Sequence, residues 1–119
     1  MVKCRQCRNV FHIIGDALNS QLDTTVMLEK AARSIVKEFH LKACHFRLLS
    51  RDLQTLDHVA AYGLSEAFLN KGPVDAEKSV AEALKGNVVD VLDCVSDPRV
   101  QYPKAFEAEG IASLLTVPL

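Results

Sequence analysis

From residue 10 to residue 39 apolar side chains recur at intervals of three and four, and over residues 43–50 the period changes to two. The first regime is helical and the second extended, because a helix returns every third or fourth residue to one face and a strand every second. Phe11, Ile14, Leu18 and Leu22 form the first stripe and predict a helix over residues 10–22. Leu22, Asp23, Thr24 and Thr25 make a joint, at which Asp23 or Thr24 caps a second helix. Leu28, Ala32, Ile35 and Phe39 recur along one face of that helix, widened by Val26, Ala31 and Val36. Glu29, Lys30, Arg33, Lys37 and Glu38 fall on the other side.

In residues 43–50, Cys44, Phe46 and Leu48 alternate with His45, Arg47 and Leu49, the pattern of a strand. Arg51 and Asp52 supply a turn, and residues 56–62 return antiparallel until Gly63 ends them. Ser65 caps a short helix through Phe68 and Leu69, which Lys71, Gly72 and Pro73 break. Ser79 caps another over residues 80–85, with Gly86 where a helix end favours a left-handed residue. A buried strand over residues 88–92, a polar loop over 93–103, a helical turn over 104–109 stopped by Gly110, and an apolar last strand over 111–119 complete the reading. This order predicts an α+β fold built on an antiparallel central sheet.

The second half of the chain carries a recognisable succession: Ala60-Ala61-Tyr62-Gly63-Leu64-Ser65, then Leu84-Lys85-Gly86-Asn87-Val88-Val89-Asp90-Val91, then Ser96-Asp97-Pro98-Arg99, and finally Gly110-Ile111 through Val117-Pro118-Leu119. In this order and spacing it resembles a GAF domain, a sensory and regulatory module of signalling proteins. The resemblance runs over residues 18–119, with residues 1–17 as an N-terminal segment and helix. It implies a GAF/PAS-like arrangement: terminal helices on one face of the sheet, and short helices and loops covering a ligand pocket on the other. Members of the family continue past Val-Pro-Leu into another strand and a closing helix, so the GAF-like domain reads as C-terminally incomplete. In the family that further strand lies beside the first, and without it the Cys44 strand and the Ile111 strand each keep an apolar edge. Such edges recruit other strands. Truncation of the sequence is the expectation; direct pairing of the two edges and completion by another chain are the alternatives.

A chain of 119 residues holds one domain. Fourteen Lys and Arg against fifteen Asp and Glu leave a net charge of -1 with no long run of either sign, so neither nucleic acid nor a membrane surface is an expected partner. No apolar run reaches the ~20 residues of a membrane span, and residues 1–7 lack the apolar stretch of a signal peptide, which predicts a cytoplasmic protein. Its four cysteines are then expected as reduced thiols.

The loop from Asp93 to Tyr102 gathers two carboxylates, a guanidinium, a phenol and a thiol within ten residues. By the resemblance it lies on the pocket side, and the candidate ligand-binding residues are Phe46, Tyr62, Val91, Asp93, Cys94, Asp97, Arg99 and Tyr102. Arg99 would grip an anion and Tyr102 would stack on the ligand. The competing reading is structural: Asp97-Pro98 as a turn, Arg99 paired with Asp93 or Asp97, and Tyr102 closing the core. No catalytic set and no metal site is expected. Cys4 and Cys7 with His12 make half of a metal site without its other half, or a dithiol whose thiolate Lys3, Arg5 and Arg8 favour. Cys44 reads as a core residue, and Cys94 as a loop thiol open to reaction. His12, His40, His45 and His58 are scattered, with His45 and His58 on facing strands.

The function expected from the resemblance is a non-catalytic sensory and regulatory domain of a signal-transduction protein. It would bind a small molecule of unknown identity and relay the change through its terminal helices to an output domain or partner signalling protein. The alternative is a ligand-free dimerisation module, a homodimer with Phe11, Ile14, Leu18 and Leu22 as its helical seam; the same stripe serves equally to cover the sheet. A distant third is the methionine sulfoxide reductase branch of the family. That branch places a nucleophilic cysteine just before the last apolar strand, where this chain has Ala105 to Gly110 and no cysteine. The motifs of bilin-binding and cyclic-nucleotide-binding members are also missing, which leaves any cofactor open.

Overall fold

The computed structural model describes His12, residues 24–78 and residues 81–119. The helix expected over residues 10–22, with Phe11, Ile14, Leu18 and Leu22, lies outside the described residues apart from His12, as do Cys4, Cys7 and Ser79. The elements are α1 (Thr24–Phe39), β1 (Cys44–Leu49), β2 (Leu56–Tyr62), α2 (Glu66–Leu69), α3 (Ala81–Leu84), β3 (Val89–Val91), α4 (Pro103–Glu109) and β4 (Leu114–Thr116). The class is α+β, as the periodicity implies. Instead of one sheet, the strands make two antiparallel pairs, β1 with β2 and β3 with β4. Contacts divide the chain into two compact units, residues 1–47 with 58–64, and residues 48–57 with 65–119.

In the first unit α1 buries Leu28, Ala31 and Ala32. Leu28 and Ala60 form one cluster with Met27, Phe46 and Val59, and Ala31 packs with Ile35 and Phe46. Two alanines with no exposed surface let the strand pair approach the helix closely, and Phe46 fills the space they leave. The face is narrower than the sequence stripe: Val26 and Phe39 are 44% and 41% exposed. Phe39 ends the helix, where the chain turns away through His40 at φ 54 and the Leu41 N–H donates to the Val36 carbonyl at 3.0 Å. That six-to-one hydrogen bond around a left-handed residue is a Schellman closure.

In the second unit the core is Ala83, Val89, Val91, Cys94 and Val100, flanked by Phe106, Ile111 and Leu114. Val89 and Val91 face it while Asp90 faces out, the period-two alternation of a strand. β3 and β4 pair Val89 with Thr116, Asp90 with Leu115 and Val91 with Leu114. The Arg99 guanidinium donates to the Asp90 carbonyl at 2.9 Å.

β4 covers three of the nine residues expected in the last strand, for reasons local to its ends. The Ile111 N–H closes α4 on the Phe106 carbonyl at 2.9 Å, and the Ala112 carbonyl accepts from Cys94 N–H at 2.8 Å. Pro118 has no N–H to offer a ladder. Gly110, at φ 77, provides the left-handed step from α4 into this segment.

Candidate functional site

The loop after β3 is organised by its own carboxylates. Asp93 Oδ1 accepts from the N–H groups of Val95 at 3.0 Å and Ser96 at 3.4 Å, and the Asp93 carbonyl accepts from Asp97 N–H at 3.0 Å. Side-chain oxygens that bond the backbone two and three residues on stabilise a turn at the expense of strand continuation. Asp97 takes the Arg99 amide on Oδ1 at 2.9 Å and the Arg99 Nη2 on Oδ2 at 2.8 Å. The Arg99 guanidinium and its amide hold the Asp97 carboxyl below the usual carboxylate range. Hydrogen bonds from Ser96 and Val95 do the same for Asp93, and Asp97 raises the Arg99 guanidinium further above its usual value.

Three donors of Arg99 are thus directed at Asp97 and the Asp90 carbonyl. This side chain pins the loop to the edge of β3, the structural role weighed against anion binding. Cys94 has no exposed surface, and burial raises its thiol pKa, with Asp93 and Asp97 adding to the rise. The loop position implies a reactive thiol, but the sulfur is part of the core. Val91, also without exposed surface, is a core residue too. Phe46 packs against α1, and Tyr62 is 38% exposed at the end of β2; both belong to the first unit.

Tyr102 is the candidate that reaches a cavity. A surface cleft of about 350 Å³ is lined by Lys71, Gln101, Tyr102, Pro103, Lys104 and Ala105, all in the second unit. Two adjacent side chains build its wall. The Tyr102 hydroxyl donates to the Pro73 carbonyl at 2.5 Å, and the Gln101 Nε2 donates to the same oxygen at 3.1 Å. Gln101 Oε1 accepts from Asp75 N–H at 2.9 Å, so one side-chain amide holds both ends of the segment from Pro73 to Asp75. That segment pairs in turn with the hairpin tip: Thr55 bridges Asp75, Leu56 N–H donates to Val74 O at 2.9 Å, and Ala76 N–H donates to Gln54 O at 2.9 Å.

Gly72 makes this wall possible. It stands at φ 139, and a β-carbon there would lie 2.6 Å from the Tyr102 hydroxyl oxygen. The Phe68 and Phe106 rings meet edge to face at 5.0 Å, and the Lys71 ammonium sits 3.9 Å from the Phe68 centroid while donating to the Phe68 carbonyl. Lys71 and Lys104 give the cleft two cations and none of its lining residues is acidic, which suits an anionic or strongly polarised ligand. Lys71, Gln101, Pro103, Lys104 and Ala105 are absent from the sequence-derived set. The Lys71-Gly72-Pro73 break was the available signal, since it reads as a helix stop and also brings a backbone carbonyl to Tyr102.

Among the described residues no group of three or more His, Cys, Asp or Glu is arranged to hold a metal ion. Among them, too, no helix is long and apolar enough to cross a membrane. No protein family, curated protein or solved structure matches the chain.

Proposed function

We propose that the chain is a sensory or regulatory module of the GAF-like type, which binds a small anionic molecule in the cleft beside Tyr102 and performs no chemistry on it. The observation that carries this reading is the cleft itself. Its wall is made of Gln101 and Tyr102, whose polar ends are committed to the Pro73–Asp75 segment rather than to solvent.

The proposed mechanism follows from those bonds. A ligand that hydrogen-bonds the Tyr102 hydroxyl competes with the Pro73 carbonyl for it, and one drawn toward Lys71 weakens that ammonium's hold on the Phe68 carbonyl. Either contact changes the free energy of the Pro73–Asp75 segment, which is backbone-paired to the hairpin tip. Ligand occupancy therefore shifts the population of tip conformations, and β1 and β2 carry the change onward. A wall held by only a few hydrogen bonds of ~1 kcal/mol each is easily biased by a ligand of ordinary affinity.

The test is a thermal-shift screen of the folded chain against nucleotides, amino acids, haem and aromatic acids, repeated on Tyr102→Ala and Lys104→Ala. A ligand that binds only the folded state raises Tm, and at a hundredfold excess over Kd the gain is about 2.7 kcal/mol. The reading expects a shift in the parent chain that shrinks in both variants. No stabilising ligand in the panel, or a shift that both variants keep in full, would overturn it.

A further inference from the structure

In the first unit two histidine side chains on paired strands bring ring nitrogens together. His45 on β1 and His58 on β2 bring Nε2 of the first and Nδ1 of the second to 2.8 Å, with ring centroids 4.9 Å apart and planes tilted by 56°. His58 is exposed and His45 half-buried, so solvent reaches the pair. At 2.8 Å the two facing nitrogens cannot both carry protons. One donates, and the other aims a lone pair into the gap.

From this geometry we infer that His45 and His58 form a two-imidazole anchor for a borderline divalent transition ion of the Zn²⁺ class, with water completing the coordination. Imidazole nitrogen suits such ions, and two nitrogens ~2.05 Å from a tetrahedral centre stand ~3.3 Å apart. The rings need to part by roughly half an ångström, a small side-chain adjustment. The imidazole whose proton occupies the gap carries it on its other nitrogen once the ion enters. That exchange of tautomer runs through water and leaves both rings neutral. Strand alternation puts Cys44 on the face opposite His45 and Arg47 on the same face. The thiol is therefore no third ligand from β1, and the guanidinium tempers affinity for a dication. The product is a clip that ties β1 to β2.

The test is a ZnCl₂ titration of the folded chain followed by the imidazole ¹H–¹⁵N resonances, which separates the two histidines from His12, His40 and the thiols. Saturable shifts of His45 and His58 are expected, with His12 and His40 unmoved. His45→Gln and His58→Gln, checked for fold by their amide spectra, should each weaken the apparent Kd by on the order of tenfold or more. The inference is overturned if the His45 and His58 resonances stay in place through saturation. Unchanged affinity in both variants, the ion having gone to cysteine, overturns it equally, and the parent titration decides the matter even where a variant fails to fold.

Discussion

Replacing Gly72 by alanine probes the wall of the cleft at its tightest point. Gly72 sits at φ 139, and an added β-carbon would meet the Tyr102 hydroxyl oxygen at 2.6 Å, its ring Cζ at 3.0 Å and Cε1 at 3.2 Å. The backbone penalty for a residue with a β-carbon at such a φ is about 1–3 kcal/mol. Displacing the Tyr102 ring also costs its hydrogen bond to the Pro73 carbonyl, ~1 kcal/mol. Together these give a destabilisation of about 2–4 kcal/mol, and at ~4 °C per kcal/mol a fall in Tm of roughly 8–16 °C. Tyr102→Phe by itself removes the hydroxyl but keeps the ring, and should cost ~1 kcal/mol, because Gln101 still donates to Pro73. With the hydroxyl gone, the nearest atom to the new β-carbon is Cζ at 3.0 Å, so part of the clash disappears. The double variant should therefore lose less than the sum of the singles, by ~0.5 kcal/mol or more. Urea unfolding of the four proteins measures the cycle. A Gly72→Ala protein within ~0.5 kcal/mol of the parent, or a strictly additive double variant, would refute the reasoning.

Three further outcomes follow from the geometry. Asp97 and Asp93 both have carboxyl groups held below their unfolded values. Their contribution is present in full above the unfolded carboxylate range, near pH 4, and is lost as pH falls through the lower folded-state values. Asp97→Asn should flatten the decline of urea midpoint between about pH 4 and pH 2, and an unchanged slope would discard the Asp97–Arg99 assignment. Cys94, with no exposed surface and a raised thiol pKa, should resist a thiol reagent at pH 8 until urea unfolds the chain; labelling of the native state at the rate of a free thiol would place it outside the core. Ser65 accepts from Phe68 N–H at 3.2 Å as the cap of α2, and its hydroxyl donates to Glu109 at 2.6 Å. Ser65→Ala should cost ~1 kcal/mol in thermal unfolding, and a neutral result would mean that the cap contributes nothing measurable.

The elements with strong local causes were legible in the sequence. α1 follows from a 3.6-residue stripe, β2 from seven residues between a turn and Gly63, and α2 from Ser65 before Glu66. The last strand is shorter than its apolar content suggests because two of its backbone groups are used at its start: the Ile111 N–H goes to the helix-end carbonyl of Phe106, and the Ala112 carbonyl goes to the Cys94 N–H. The loop residues Asp93, Asp97 and Arg99 were found as a cluster, but composition does not reveal whether charges face a ligand or one another. Here Asp97 and Arg99 satisfy each other two residues apart. Tyr102 entered the candidate set through the resemblance, with closing the core as its competing use, and the structure places it beside the cleft. Gln101 and Lys71 were missed because their partners lie 28 residues away and on a helix-end carbonyl respectively.

Arg99 also limits how the β3–β4 pair can grow. The guanidinium already donates to the Asp90 carbonyl, so a strand arriving there would have to share or displace that bond. On the other side Leu115 is 65% exposed, no charged residue lies between Gly110 and Leu119, and no described strand lies beside β4. The two margins are therefore unequal: along one a backbone acceptor is engaged by a guanidinium, and along the other the chain carries no charge.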